Sequence, residues 1–288
     1  MILISLLIAL ALDRVFTRPE KWRSAWVARM MLIKLSVKRT KQYASWKLWS
    51  AVVLPALILL MLECFVIGHL LTFVIQTAVL YLALGCTVVR DTYKSWLQAA
   101  NREDNEACDL FQRQLYLAML GKEDKASEPD DGTMMQQLLL LANYQFYAAV
   151  IIFFIFLGAP GVLLYVCARE THRYFCPHSS KNTVHTRKLM HILDWAPVRL
   201  TALGYLVVGH FTRAFPVWVD MLTRTRISAH ELLWRVGRQA ELIEPDDCKT
   251  CSKMTACIHV LAGVKLAKRN VLFLLVVTAL LTITGWIL

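Results

Sequence analysis

The sequence predicts an all-α, polytopic membrane protein with amphipathic cytoplasmic helices, and three observations carry that expectation. Apolar residues make up 57% of the chain and charged residues only 18%, whereas soluble domains carry about 25% charged residues. The apolar residues gather in long blocks, so they cannot all face one water-excluded core. Between the blocks the chain is basic, with a net charge of +11 over 288 residues, as short cytoplasmic loops of polytopic proteins are. Residues 1–288 read as a single membrane domain.

The opening run, residues 1–12, is apolar but shorter than the roughly 20 residues a helical span needs. A short or interface-tucked helix fits it. It is expected to stay in the mature chain: no basic residue precedes it, and no small-residue cleavage site comes before Asp13-Arg14. From Asp13 to Lys47 the chain carries ten Lys or Arg against two acids, with Trp22, Trp26, Met30 and Ile33 at helical spacing. That pattern fits a helix lying on the membrane surface, apolar face down and cations toward headgroups. A helix packed on its neighbours gives the same spacing.

Trp49 to Val89 is the longest apolar block, interrupted by Glu63, Gly68-His69 and Gln76. One span cannot absorb it, so it predicts a hairpin of spans at about 49–67 and 71–89, turning near Gly68-His69. Trp46 and Trp49 suit an interfacial aromatic belt. A hairpin returns the chain to its starting side, so segments 13–47 and 90–142 share a compartment, and their basic charge makes it the cytoplasm. Within 90–142, Tyr93, Trp96, Leu97 and Ala100 mark an amphipathic helix. The acidic run Asp124–Gly132 reads as a solvated turn.

A further block, 146–168, contains Gly158-Ala159-Pro160-Gly161, where a kink is expected because Pro lacks a backbone donor. A basic, His-rich loop over Arg169–His191 follows, then Asp194-Trp195-Ala196-Pro197-Val198-Arg199, a moderately apolar stretch at 200–215, a basic cytoplasmic segment 216–269 and a closing span 271–288. If 146–168 crosses once and 200–215 does not, the basic 216–269 segment lands outside, against the positive-inside bias. Either 200–215 crosses or 146–168 is re-entrant.

Several residues invite chemistry. Glu63 and His69 sit in or near hydrocarbon, where ionisable groups are costly, though a position at the hairpin turn exposes them equally well. Cys248, Cys251, Cys257 and His259 suggest zinc, but a Cys-X-His second pair strains a tetrahedral site, so no metal is assigned. The eight cysteines form no disulfide framework, which suits a reducing compartment. His172, His178, His185 and His191 with Arg169, Arg173, Arg187 and Lys188 make a cationic stretch. It suits either a bound phosphate or carboxylate, or the headgroup layer. Asp13-Arg14 and Asp194 with Arg199 place an acid and a base where apolar segments meet polar ones. Paired across helices, they would line a polar pocket. The candidate ligand-binding set is therefore Asp13, Arg14, Arg169, His172, Arg173, Asp194 and Arg199, with no catalytic residue and no cofactor assigned. The partners expected are anionic lipid headgroups and either an anionic small molecule or a cytoplasmic protein. No helix-turn-helix or aromatic-basic pattern points to nucleic acid.

The same residues carry a resemblance. Leu10-Ala11-Leu12-Asp13-Arg14-Val15-Phe16 with Pro19 and Trp22, Phe156 to Tyr165, Leu193 to Leu200, Tyr205 to His210 and Leu280 to Gly285 resemble the AmpE family. The resemblance covers nearly the whole chain and is most specific at Asp194–Arg199. It implies a bacterial inner-membrane protein, encoded beside a peptidoglycan amidase and linked to cell-wall recycling and β-lactamase regulation. That family is itself similar to the membrane-bound cobinamide-phosphate synthases, which join an aminopropanol group to a corrinoid carboxylate. They share the opening Leu-Asp, the Gly-Ala-Pro run and an element matched here by Pro197-Val198-Arg199-Leu200. They carry an acidic, Asn-containing stretch before the Gly-Ala-Pro run, where this chain reads Leu141-Ala142-Asn143-Tyr144-Gln145-Phe146-Tyr147 without a carboxylate. A regulatory membrane protein is the first expectation and an amide-forming synthase the alternative. A transporter is weaker, because paired inverted repeats are not visible.

Overall fold

The computed structural model describes residues 2–15, 43–65, 68–120, 133–176, 181–224, 227–241 and 252–285. The surface helix expected around Trp22–Ile33, the acidic turn at Asp124–Gly132, His178, Cys248 and Cys251 fall outside them. Among the described residues every regular element is a helix: α1 (Ile2–Val15), α2 (Ser45–Phe65), α3 (His69–Ala83), α4 (Thr87–Asn101), α5 (Asn105–Leu120), α6 (Thr133–Asn143), a π-helical turn (Tyr144–Ala148), α7 (Ala149–Phe175), α8 (Lys181–Val208), α9 (Phe211–Thr223), α10 (Ala229–Ala240) and α11 (Ser252–Ile283). They group into two compact units. The first takes Met1–Gly85, Ala149–Asp194 and Leu275–Leu288, and the second takes Cys86–Ala148 and Trp195–Leu274.

In the first unit α7 is the hub, packed on by α1, α2 and α3. Its opening turns are apolar on every side, Ala149 to Phe154, and every one of those residues is buried. A helix without a polar face has to be central or in lipid. Around it the outer helices show the reverse of a soluble protein: Leu54, Leu57, Ile58 and Met61 on α2 and Leu70, Leu71 and Val74 on α3 are all exposed. Large apolar faces of this extent suit hydrocarbon and not water. By length and composition, four helical runs among the described residues can cross a membrane: Trp46–Phe65, Leu70–Asn101, Met134–Phe175 and Cys257–Ile283. This is an all-α membrane protein.

The kink expected at Gly158–Gly161 is present. Gly158 leaves the helix at φ 65°, ψ −158°, and Pro160 follows within α7. Glycine accepts that conformation because it has no Cβ. Proline has no N–H, so the break forfeits one bond fewer. A second glycine sets the end of α3. Gly85 has φ +74°, and a Cβ there would sit 2.4 Å from Oδ1 of Asp13, which is buried at the end of α1. α1 therefore docks through its own carboxylate onto a bare backbone.

The second unit builds on amphipathic helices. α4 buries Thr92, Trp96 and Ala99 against α5, which returns Gln112, Leu115 and Met119. The tight link between them puts Glu103 at φ 59°, and Asp104 Oδ1 accepts from the Ala107 amide at 3.1 Å. α10 starts on a serine N-cap, with the Ser228 hydroxyl accepting from the Glu231 amide at 3.2 Å. It then buries Leu232, Leu233, Val236, Gly237 and Ala240, packing against α6 and α9.

One expectation needs correcting. The His-rich loop over Arg169–His191 is helical for most of its length: α7 runs to Phe175 and α8 begins at Lys181. Its Arg, Lys and His residues are tolerable helix formers, and the segment contains no glycine. The only proline, Pro177, comes just beyond the end of α7. The apolar stretch 200–215 is not one helix, because Gly209-His210 separates α8 from α9.

Gly85→Ala tests the docking of α1. Backbone strain and the clash with Asp13 should together cost about 1–3 kcal/mol. Thermal unfolding in detergent should show a lower midpoint, and an unchanged midpoint would remove that contact from the account.

Candidate functional site

The ionisable residues of α7 arise from helical spacing. Tyr165, Arg169 and His172-Arg173 recur at i, i+4 and i+7/i+8, which places them along one side of the helix. The first half of α8 supplies Asn182, Thr183, Thr186 and Asp194 to the same unit, all buried. Tyr165 donates its hydroxyl to Asp194 Oδ1 at 3.3 Å. The His172 Nδ1 and Thr186 hydroxyl lie 3.2 Å apart, and Thr186 donates to the Asn182 carbonyl at 3.0 Å. Asn182 Oδ1 accepts from the Tyr43 amide at 2.9 Å, tying the approach to α2 onto α8.

At the centre is a buried ion cluster. Arg169 is 1% exposed and approaches Glu170 Oε1 through both Nε and Nη2 at 3.1 Å, while Arg173 Nη1 reaches the same oxygen at 3.7 Å. A lone buried charge is several kcal/mol unfavourable, so the carboxylate is what allows the guanidinium to sit there. The two contacts are unequal. The Arg169 contact is short and dry, whereas the Arg173 contact is longer and its side chain is 18% exposed.

Each residue of the sequence-derived set has a definite place. Asp13 is buried against Gly85, and the neighbouring Arg14 is exposed, with Asp13 turned inward. Arg169, His172 and Arg173 share the last turns of α7, and Asp194 meets Tyr165. Arg199 belongs to the second unit. Five residues along one helix from Asp194, it points about 140° away, so the two do not pair. Its Nη1 donates to the Trp195 carbonyl at 2.8 Å and Nη2 to the Arg224 carbonyl at 3.3 Å, with its guanidinium 4.5 Å from the Trp195 ring. Sequence reasoning missed Tyr165, Glu170 and Thr186. The i, i+3 spacing of Glu170 and Arg173 was the available signal for one of them. Cys257 and His259 sit two residues apart on α11 and so point to opposite sides, unfit to share a metal. Among the described residues no His, Cys, Asp and Glu cluster suits a metal ion.

A second polar focus was invisible to motif reading. Glu241, at the end of α10, accepts from Gln136 Nε2 of α6 at 2.6 Å. Burial pushes its carboxyl up from the usual 4.5 to about 8, with the Gln136 hydrogen bond pulling weakly the other way.

The family model described as "Regulatory signalling modulator protein AmpE" matches residues 1–288. "Protein AmpE" of Shigella flexneri is 26% identical over 295 residues, covering 99% of this chain and 99% of that protein. No solved structure matches the chain. Neither match supports the amide-forming synthase, and the carboxylate-free stretch Leu141–Tyr147 runs through the mostly buried end of α6 and the π-helical turn.

The raised Glu241 carboxyl makes stability pH-dependent. Its folded pKa exceeds its unfolded one, so the folded state holds the extra proton, and stability falls as pH rises from about 4.5 to about 8. Glu241→Gln should flatten that part of the profile and stabilise the protein above the window. Melting curves in detergent across this range check it, and a profile identical to wild type would contradict it.

Proposed function

The chain belongs to the AmpE family of regulatory signalling modulators, and from that premise we propose that it acts in a bacterial inner membrane, linking cell-wall recycling to β-lactamase regulation. The observation that carries the reading is the match of the family model over residues 1–288. With the 146–168 block re-entrant, segments 13–47, 90–142 and 216–269 share the cytoplasmic face, in keeping with the positive-inside bias. Anionic headgroups would then hold the basic segments at the surface.

The input is an anionic small molecule or a cytoplasmic protein presenting an acidic group, received at Arg173 and Arg14. The inequality in the ion cluster supports this. Arg169 holds Glu170 at 3.1 Å, whereas Arg173 reaches the same oxygen at 3.7 Å with its side chain 18% exposed. An arriving phosphate or carboxylate would offer Arg173 a shorter, charge-assisted contact. Glu170 would then rely more on Arg169, and the adjoining His172–Thr186 and Tyr165–Asp194 contacts would transmit the change between α7 and α8.

Two variants separate folding from signalling. Arg169→Ala strands the Glu170 charge and should cost about 3–5 kcal/mol, read as loss of protein from the membrane fraction. Arg173→Gln should leave membrane abundance near wild type while failing to restore β-lactamase induction in a deletion strain. Asp194→Ala and Arg199→Ala should likewise insert normally and signal poorly. Wild-type induction in Arg173→Gln would remove the proposed input site, and a deletion strain with unaltered induction would remove the function.

A further inference from the structure

Glu241 stands where four helices of the second unit converge. The end of α10 is clasped to the end of α8, since the His210 amide donates to the Ala240 carbonyl at 2.9 Å. A Cβ on Gly209 would meet that same carbonyl at 2.5 Å, so only glycine lets the two ends close. Glu241 follows Ala240 directly and reaches α6 through Gln136, which is itself buried. On α11, a Cβ at Gly263 would lie 3.3 Å from Glu241 Oε1. One helical turn before Gly209 on α8, Tyr205 is fully buried within electrostatic reach of Glu241.

The polar atoms here are poorly satisfied. Glu241 Oε1 and the Tyr205 hydroxyl are both buried without a hydrogen-bond partner. Among the described residues Glu241 also has no ion-pair partner, although Arg238 lies one turn before it and His259 one turn before Gly263. Orphaned buried groups of this kind are uncommon and call for an occupant or a role. Once ionised, above about pH 8, the Glu241 carboxylate and the lone pairs of the Tyr205 hydroxyl are matched by a ligand that is positive and donates only. A metal cation would want four or more ligands, and no cluster suited to a metal is present among the described residues. An ammonium group needs acceptors alone.

We propose that Glu241, Tyr205 and Gln136 form a binding site for a primary ammonium group, in which Glu241 Oε1 and the Tyr205 hydroxyl accept its N–H donors and Gln136 holds the carboxylate in place. The site is distinct from the ion cluster on α7 and independent of the proposed signalling role.

The test uses the full chain in neutral detergent above pH 8, where the carboxyl is ionised. Methylammonium chloride is compared with tetramethylammonium chloride at equal ionic strength, since the second carries the charge without the donors. The site requires a saturable rise in unfolding temperature with methylammonium only. That rise should vanish in Glu241→Gln, which keeps the Gln136 contact, and half-saturation should move several-fold higher in Tyr205→Phe. Equal responses to the two cations would overturn the proposal, as would an undiminished methylammonium response in Glu241→Gln. If Glu241→Gln does not fold, an unchanged half-saturation in Tyr205→Phe overturns it equally.

Discussion

Hydrocarbon offers no hydrogen bonds, and most of this structure follows from that. A chain whose longest segments are apolar has to satisfy its backbone internally, which leaves helices as the available element. The exposed leucines, isoleucines and methionines of α2 and α3 are costly in water and neutral in lipid. Even the break in α7 obeys the constraint. It falls where Gly158 adopts a positive φ without strain and where Pro160 has no amide to leave stranded, and Ala159, Pro160 and Gly161 beside it are buried in protein.

The same constraint governs charge. Ions are admitted to the interior only with partners, and the Arg169–Glu170 pair is the strictest case. It is weak evidence for stability, since desolvating both ions offsets much of their attraction. It holds the carboxylate at 3.1 Å, beside the longer Arg173 contact at 3.7 Å.

The long apolar blocks made the helices legible from the sequence, because a bilayer demands length and uniformity together. The Gly-Ala-Pro-Gly kink was legible too, since backbone chemistry alone dictates it. The stretch from Arg169 to His191 was misread because polarity was equated with loop, although its only breaker is Pro177. Asp194 and Arg199 lie on one continuous helix, and their five-residue offset turns them to different sides. Glu170 and Tyr165 were within reach of spacing arguments. Glu241 was not: Gln136 lies 105 residues from it in sequence, and no local pattern announces a contact made only by folding. The π-helical turn at Tyr144–Ala148 likewise had no sequence signature, although Tyr147 within it accepts from Arg90 at 3.0 Å.

The account stands on the claim that the apolar faces lie in lipid with the basic segments wetted on one side. Single cysteines at Lys94 and Arg235, both exposed on their helices, in a chain otherwise free of cysteine, address it directly. In sealed inside-out vesicles a membrane-impermeant maleimide should label both, and in right-side-out vesicles neither. Labelling of the two positions from opposite faces would contradict the account.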